Sequence, residues 1–187
     1  MTKQLPPRLP QLDEKDLTDA QRRVADAIKS GPRGKIVGPF WPLLRAPELA
    51  DLVQQVGAYL RYESPLPGRL REWATLVTAQ HWRQGFEWAS HSVLAEAQGV
   101  ALATLAELAA GRRPVTMTPE EAIIYDFCTE LYRERGVSDA RYAAARALLG
   151  EQGVVELCAL SGYYTLLSMV MNVARTPAPE PTPFGNA

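Results

Sequence analysis

Residues 69–100, RLREWATLVTAQHWRQGFEWASHSVLAEAQGV, read as two helices joined by a short break. Leu70, Trp73, Leu76, Val77 and Gln80 recur at three- and four-residue steps and so share a face of the first helix, with Glu72 to one side. Gln84-Gly85 interrupts the pattern, which resumes at Phe86 and closes at Gly99. Here and elsewhere no stretch alternates with the period of two that a half-buried strand needs.

The same periodicity extends in both directions. It predicts helices near Thr18–Lys29, Pro47–Leu60, Arg69–Trp82, Phe86–Gln98, Ala101–Ala110, Pro119–Arg135, Asp139–Leu149 and Gly153–Ala174. Proline supports this reading: thirteen of the fifteen lie before Gly68 or after Thr176, leaving only Pro114 and Pro119 between. Proline removes a backbone donor and clashes inside a helix, so its scarcity marks helical territory. Thr118, Pro119 and Glu121 spell a capped start, and Ser138 before Asp139 a second one. Gly99, Gly111, Gly136 and Gly150 stand where helix ends call for a left-handed residue. The fold class is all-α, a compact helical bundle of about seven or eight helices.

Composition narrows the function. At 187 residues the chain is long enough to bury a core without staples. Lys and Arg total 20 against 21 acidic residues, which argues against nucleic acid or an anionic membrane as partner. The N-terminal stretch lacks an apolar signal core, so a cytoplasmic protein is expected. Leu157 to Ala174 carries no charge, yet Ser161, Gly162, Thr165, Ser168 and Asn172 make it a core helix or a buried subunit-interface helix rather than a membrane span. The tail, residues 176–187 with four prolines, is expected to be disordered or draped over a neighbour.

The chain has two cysteines and two histidines. Cys128 and Cys158 form neither a redox pair nor a disulfide scaffold, and no spacing suits zinc; no metal is expected. Both thiols are expected to be inert and buried. Glu87 and His91 stand one helical turn apart, so a carboxylate can orient and charge an imidazole for proton transfer if the pair faces a cavity. The same spacing also describes an ordinary surface pair. Trp73, Trp82, Phe86 and Trp88 suit packing or a ligand box, and His81 suits a hydrogen-bonded helix end.

The arrangement Arg69-x-Arg71-Glu72, a helical run, Phe86-Glu87-Trp88-x-x-His91 and Gly99-Val100 resembles the carboxymuconolactone decarboxylase family, which includes the alkylhydroperoxidase D-like thiol peroxidases. The likeness runs from about Leu43 to Arg175, and Gly153–Ala174 resembles the family's final helix. It implies three parts: a Pro-rich lead-in with one helix (1–42), the helical domain (43–175) and a Pro-rich tail (176–187). It also implies assembly as a homotrimer or homohexamer. The peroxidase branch carries Glu, eleven residues, Cys-x-x-Cys, three residues and His. Glu72 and His91 fall on its Glu and His, whereas its cysteines fall on Gln84 and Glu87. Thiol peroxidation needs both sulfurs.

The decarboxylase branch also lacks the pair and works without cofactor or metal. On that resemblance Glu72, Glu87 and His91 are the expected catalytic set. Arg69, Arg71, His81, Gln84 and Trp88 are the expected contacts to a small oxidised acid or lactone. The competing expectations are a divergent peroxidase or antioxidant protein and a non-catalytic oligomeric binding protein.

Overall fold

A computed structural model of the chain describes residues 5–179 and 182–184. Eight α-helices and no strand occur among the described residues: α1 (Asp19–Ser30), α2 (Phe40–Leu43), α3 (Pro47–Ala58), α4 (Gly68–His81), α5 (Gly85–Ala97), α6 (Leu102–Ala109), α7 (Pro119–Glu134) and α8 (Asp139–Ala174). Two compact units emerge. The described part of the first comprises residues 5–64 and 166–177, that of the second 65–165, 178–179 and 182–184.

In the first unit, Thr18 and Gln21 close a reciprocal capping box on α1, which buries Val24, Ala25 and Ile28. α3 begins with Pro47 in its first turn, packs on α1 and α2, and runs into a π-helical turn at Tyr59–Glu63 that buries Leu60. The Pro-rich lead-in is tied down. The amides of Arg8 and Leu9 donate to the Ala174 carbonyl (2.8 and 3.3 Å), and Arg45 donates to the Pro10 carbonyl (2.7 Å).

In the second unit α4 is the core. Residues 72–79 are all buried, so this helix meets neighbours on every side rather than along one stripe. It packs against α5, α6 and α7. The Trp73 indole N–H donates to the Glu121 carbonyl (2.9 Å), pinning α4 to the first turn of α7. Thr75 and Thr78 satisfy their hydroxyls on the carbonyls of Arg71 and Ala74, one turn back. α7 starts with the capping box read from the sequence: Thr118 and Glu121 bond reciprocally, and Pro119 takes the first turn.

At the far end of α7, Arg135, not Gly136, takes the left-handed conformation (φ 61°). The chain turns one residue earlier than expected because the Arg135 amide closes the last turn onto Leu131. Gly150 (φ 72°, ψ 176°) breaks α8 where the sequence separates two helices. α8 is the one helix among the described residues that is long and apolar enough to cross a membrane. It buries Leu157, Leu160, Tyr164, Leu167 and Met171, while Val155, Met169 and Val173 are about half exposed or more.

The described tail residues pack on the start of α5, which offers them an apolar seat. A Cβ on Gly85 would lie 2.7 Å from the Thr182 hydroxyl and 2.9 Å from the Ala178 methyl, so only glycine admits this contact. The Phe184 ring stands edge-on to Trp88 (centroids 5.4 Å apart), and Arg83 donates to the Phe184 carbonyl (3.3 Å). The remainder of the tail expectation, at residues 180–181 and 185–187, lies outside the described residues. Gly85→Ala is expected to lift this segment at a cost of about 1 kcal/mol. Limited proteolysis with chymotrypsin would detect it as faster cleavage after Phe184, with the helical core intact.

Candidate active site

The site grows from the break between α4 and α5. Arg83 is left-handed (φ 49°), and Gln84 then caps α5: its side-chain oxygen accepts from the amides of Phe86 (2.6 Å) and Glu87 (3.2 Å). This places Glu87 in the first turn of α5 and His91 one turn on, both facing α4.

There His91 lies between two carboxylates. Its Nδ1 is 2.6 Å from Glu72 Oε2, and its Nε2 is 3.3 Å from Glu87 Oε2. The three side chains are only 5%, 8% and 5% exposed for His91, Glu72 and Glu87. Tyr164, from α8, stands edge-on to the imidazole at 4.9 Å. The Glu87–His91 pair is therefore a buried pair, and Glu72 completes it from the neighbouring helix. Arg71 Nε lies 3.7 Å from Glu72 Oε1. That Nε and Glu87 Oε1 are buried without a hydrogen-bond partner, leaving a donor and an acceptor beside the imidazole.

Electrostatics favour the imidazolium. Burial alone would lower the His91 pKa, but hydrogen bonds to Glu72 and Glu87 and the charges of both carboxylates outweigh it, and the pKa is raised above 6.5. Below pH 6.5 the imidazolium is present folded and unfolded, so its stabilisation is complete; it is lost as pH rises through the raised folded value. Urea melts from about pH 6 to about pH 9 should therefore show falling stability, with a flatter profile for His91→Gln.

The other expected contacts are dispersed. Gln84 acts as the α5 cap, and Trp88 is buried against Phe184. Arg69 turns to the start of α7, 3.4 Å from the Thr118 hydroxyl, 3.5 Å from Glu120 and 3.7 Å from Glu121. His81, the last residue of α4, is nine positions beyond Glu72, about 13 Å along the helix axis, and stacks on Tyr132. The structure thus brings together Glu72, Glu87 and His91, with Arg71 beside them, and leaves Arg69 and His81 elsewhere. Tyr164 was not legible as a partner, because no spacing relates positions 91 and 164.

The cysteines lie on other helices. Cys128 is buried, 3.7 Å from the Ser161 hydroxyl, and burial pushes its thiol up to about 12. Cys158 is exposed, contrary to the expectation of two buried thiols, because position 158 falls on the outward face of α8 with Val155 and Gly162. Partial burial nevertheless raises its pKa. Among the described residues, no group of three or more His, Cys, Asp or Glu side chains could hold a metal ion.

The fold is of the alkylhydroperoxidase D-like type. It matches a crystal structure described as an alkylhydroperoxidase AhpD core, an uncharacterized peroxidase-related protein from Ralstonia eutropha JMP134. The TM-score is 0.76 at 15% identity, over 93% of this chain and 93% of that one. It also matches an uncharacterized peroxidase-related protein from Silicibacter sp. TM1040, with a TM-score of 0.75 at 14% identity over 100% of this chain and 98% of that one. Residues 47–130, which include α4, α5 and the whole glutamate–histidine cluster, match the model of the carboxymuconolactone decarboxylase family. No curated protein sequence matches the chain significantly.

Proposed function

We propose that this protein is a cofactor-free lyase that decarboxylates a small oxidised organic acid or lactone, with Glu72, Glu87 and His91 as its acid–base set. The observation that carries the reading is the buried imidazole held between two carboxylates, with Gln84 and Glu87 at the positions of the peroxidase cysteines. In such a reaction the bond to the departing carboxylate breaks and carbon dioxide leaves. The electron pair moves into a conjugated carbonyl, and the carbon takes a proton. His91 as imidazolium is the proton donor, Glu72 orients it, and Glu87 passes a replacement proton from solvent. Arg71, whose Nε is buried 3.7 Å from Glu72 without a hydrogen-bond partner, is the cation beside the cluster best placed to hold a carboxylate.

Assembly as a homotrimer or homohexamer belongs to the same proposal, supported by the exposed apolar side chains of Val155, Met169 and Val173 on α8. So does a cytoplasmic setting. Sedimentation of the purified chain tests the assembly. Turnover of γ-carboxymuconolactone and related unsaturated lactones tests the chemistry, with an expected fall of about 10²–10⁴ in kcat for His91→Gln. Equal rates in the two proteins would remove His91 from the mechanism.

A second reading is favoured by the depth of the cluster, with all three side chains at most 8% exposed: a non-catalytic oligomeric binding protein that uses the trio for packing. It predicts no turnover of any lactone. The divergent-peroxidase reading has less support, since both thiols have raised pKa values and stand apart from His91 in the chain. It predicts peroxide consumption that is lost in Cys158→Ser.

A further inference from the structure

We infer that the hollow between α4 and α7 is a second ligand site, separate from the glutamate–histidine cluster and built for a planar conjugated carboxylate. Its volume is about 300 Å³, at the lower end for small-molecule sites. His81 and Tyr132 form one wall, their rings nearly parallel (23°) with centroids 4.6 Å apart. Tyr125 lines the hollow too and stacks in turn on the buried Trp73 at 6.4 Å. A flat ligand would extend this aromatic layer. Gln80 and Thr129 supply uncharged hydrogen-bonding groups, and Arg133 supplies a cation.

The charge pattern selects an anion. An adjoining hollow of about 310 Å³ shares Tyr125, Thr129 and Arg133 and contains two acids, both already neutralised. Asp126 takes both Arg113 (3.1 Å) and Arg141 (3.0 Å), and Glu130 takes Arg141 (3.4 Å) and the Ser138 amide (2.6 Å). Arg133 instead pairs with its sequence neighbour Glu134 at 2.6 Å, with side chains 71% and 58% exposed. An exposed pair of this kind contributes little, so a ligand carboxylate can take the guanidinium from Glu134. Burial lowers the His81 pKa, which keeps that wall uncharged near neutral pH and leaves Arg133 as the charge a carboxylate meets.

The chain's two histidines make the test direct, because one lies in each site. The full chain, labelled with ¹⁵N-histidine, is titrated with sodium benzoate and followed through the imidazole resonances. The expected result is a saturable shift of the His81 resonances with those of His91 unmoved. Arg133→Gln should weaken binding about tenfold, and Glu134→Gln should tighten it two- to threefold by removing the competitor. Cyclohexanecarboxylate, with the same charge but no flat face, should bind several-fold more weakly. Both substituted residues are exposed, so the variants keep the fold. An unmoved His81, full affinity in Arg133→Gln, or equal binding of the two carboxylates would each overturn the assignment. A shift at His91 alone would also overturn it, while leaving the acid–base reading intact.

Discussion

His91→Leu is expected to cost about 3–5 kcal/mol of folding stability at neutral pH, the loss typical of removing one partner from a buried ion pair. The cause is what stays behind. Glu72 and Glu87, 8% and 5% exposed, would keep their carboxylates buried without the imidazolium between them. Two controls separate this from simple cavity formation. Acidification should restore part of the loss as the carboxylates take up protons. A triple variant, Glu72→Leu, Glu87→Leu and His91→Leu, should be markedly more stable than the single one, because no buried charge remains. Denaturant melts of all three proteins check this. A single variant as stable as the parent would show that the trio is not energetically linked.

Trp73→Ala should be comparably damaging, at about 3–5 kcal/mol, for a different reason. The indole is wholly buried at the centre of the second unit, and its N–H is what the Glu121 carbonyl accepts from. Truncation opens a cavity and orphans that carbonyl together. Trp73→Phe keeps most of the ring and should cost about 1–3 kcal/mol, chiefly for the unmet acceptor. For a chain of this length the alanine variant should melt about 10 °C lower, readable by calorimetry.

Much of this architecture could be read from the chain. α4, α5 and α7 begin and end within a residue or two of their expected limits, because proline, capping residues and helical periodicity act locally. The capping box of Thr118 and Glu121 is a four-residue signal and appears as read. What could not be read depends on distant partners. The seat of Phe184 on Trp88 joins positions 96 apart, and the edge of Tyr164 on His91 joins positions 73 apart. The candidate site was half legible. Glu87 and His91 lie on one helix turn, so their spacing exposes them, whereas Glu72 lies on another helix and was linked to them through family resemblance. Tyr125, Thr129, Tyr132 and Arg133 follow helical spacing along α7 and could have been recognised as one face. Aromatic residues at that spacing more often pack a core, so the pattern alone marks no site.

The left-handed end of α7 has a bearing on how this protein could be engineered. A non-glycine residue in that conformation costs on the order of 1 kcal/mol, and the chain accepts the cost at Arg83, Arg135 and Arg175. At Arg83 it has a return, since the guanidinium grips the Phe184 carbonyl and lies over its ring. Arg135 has no comparable attachment and sits beside a glycine that does not use its freedom. Exchanging the two, Arg135→Gly with Gly136→Arg, keeps composition and net charge constant while removing the strain. The boundary between α7 and α8 thus holds thermal tolerance in reserve that rearranging two neighbours would release.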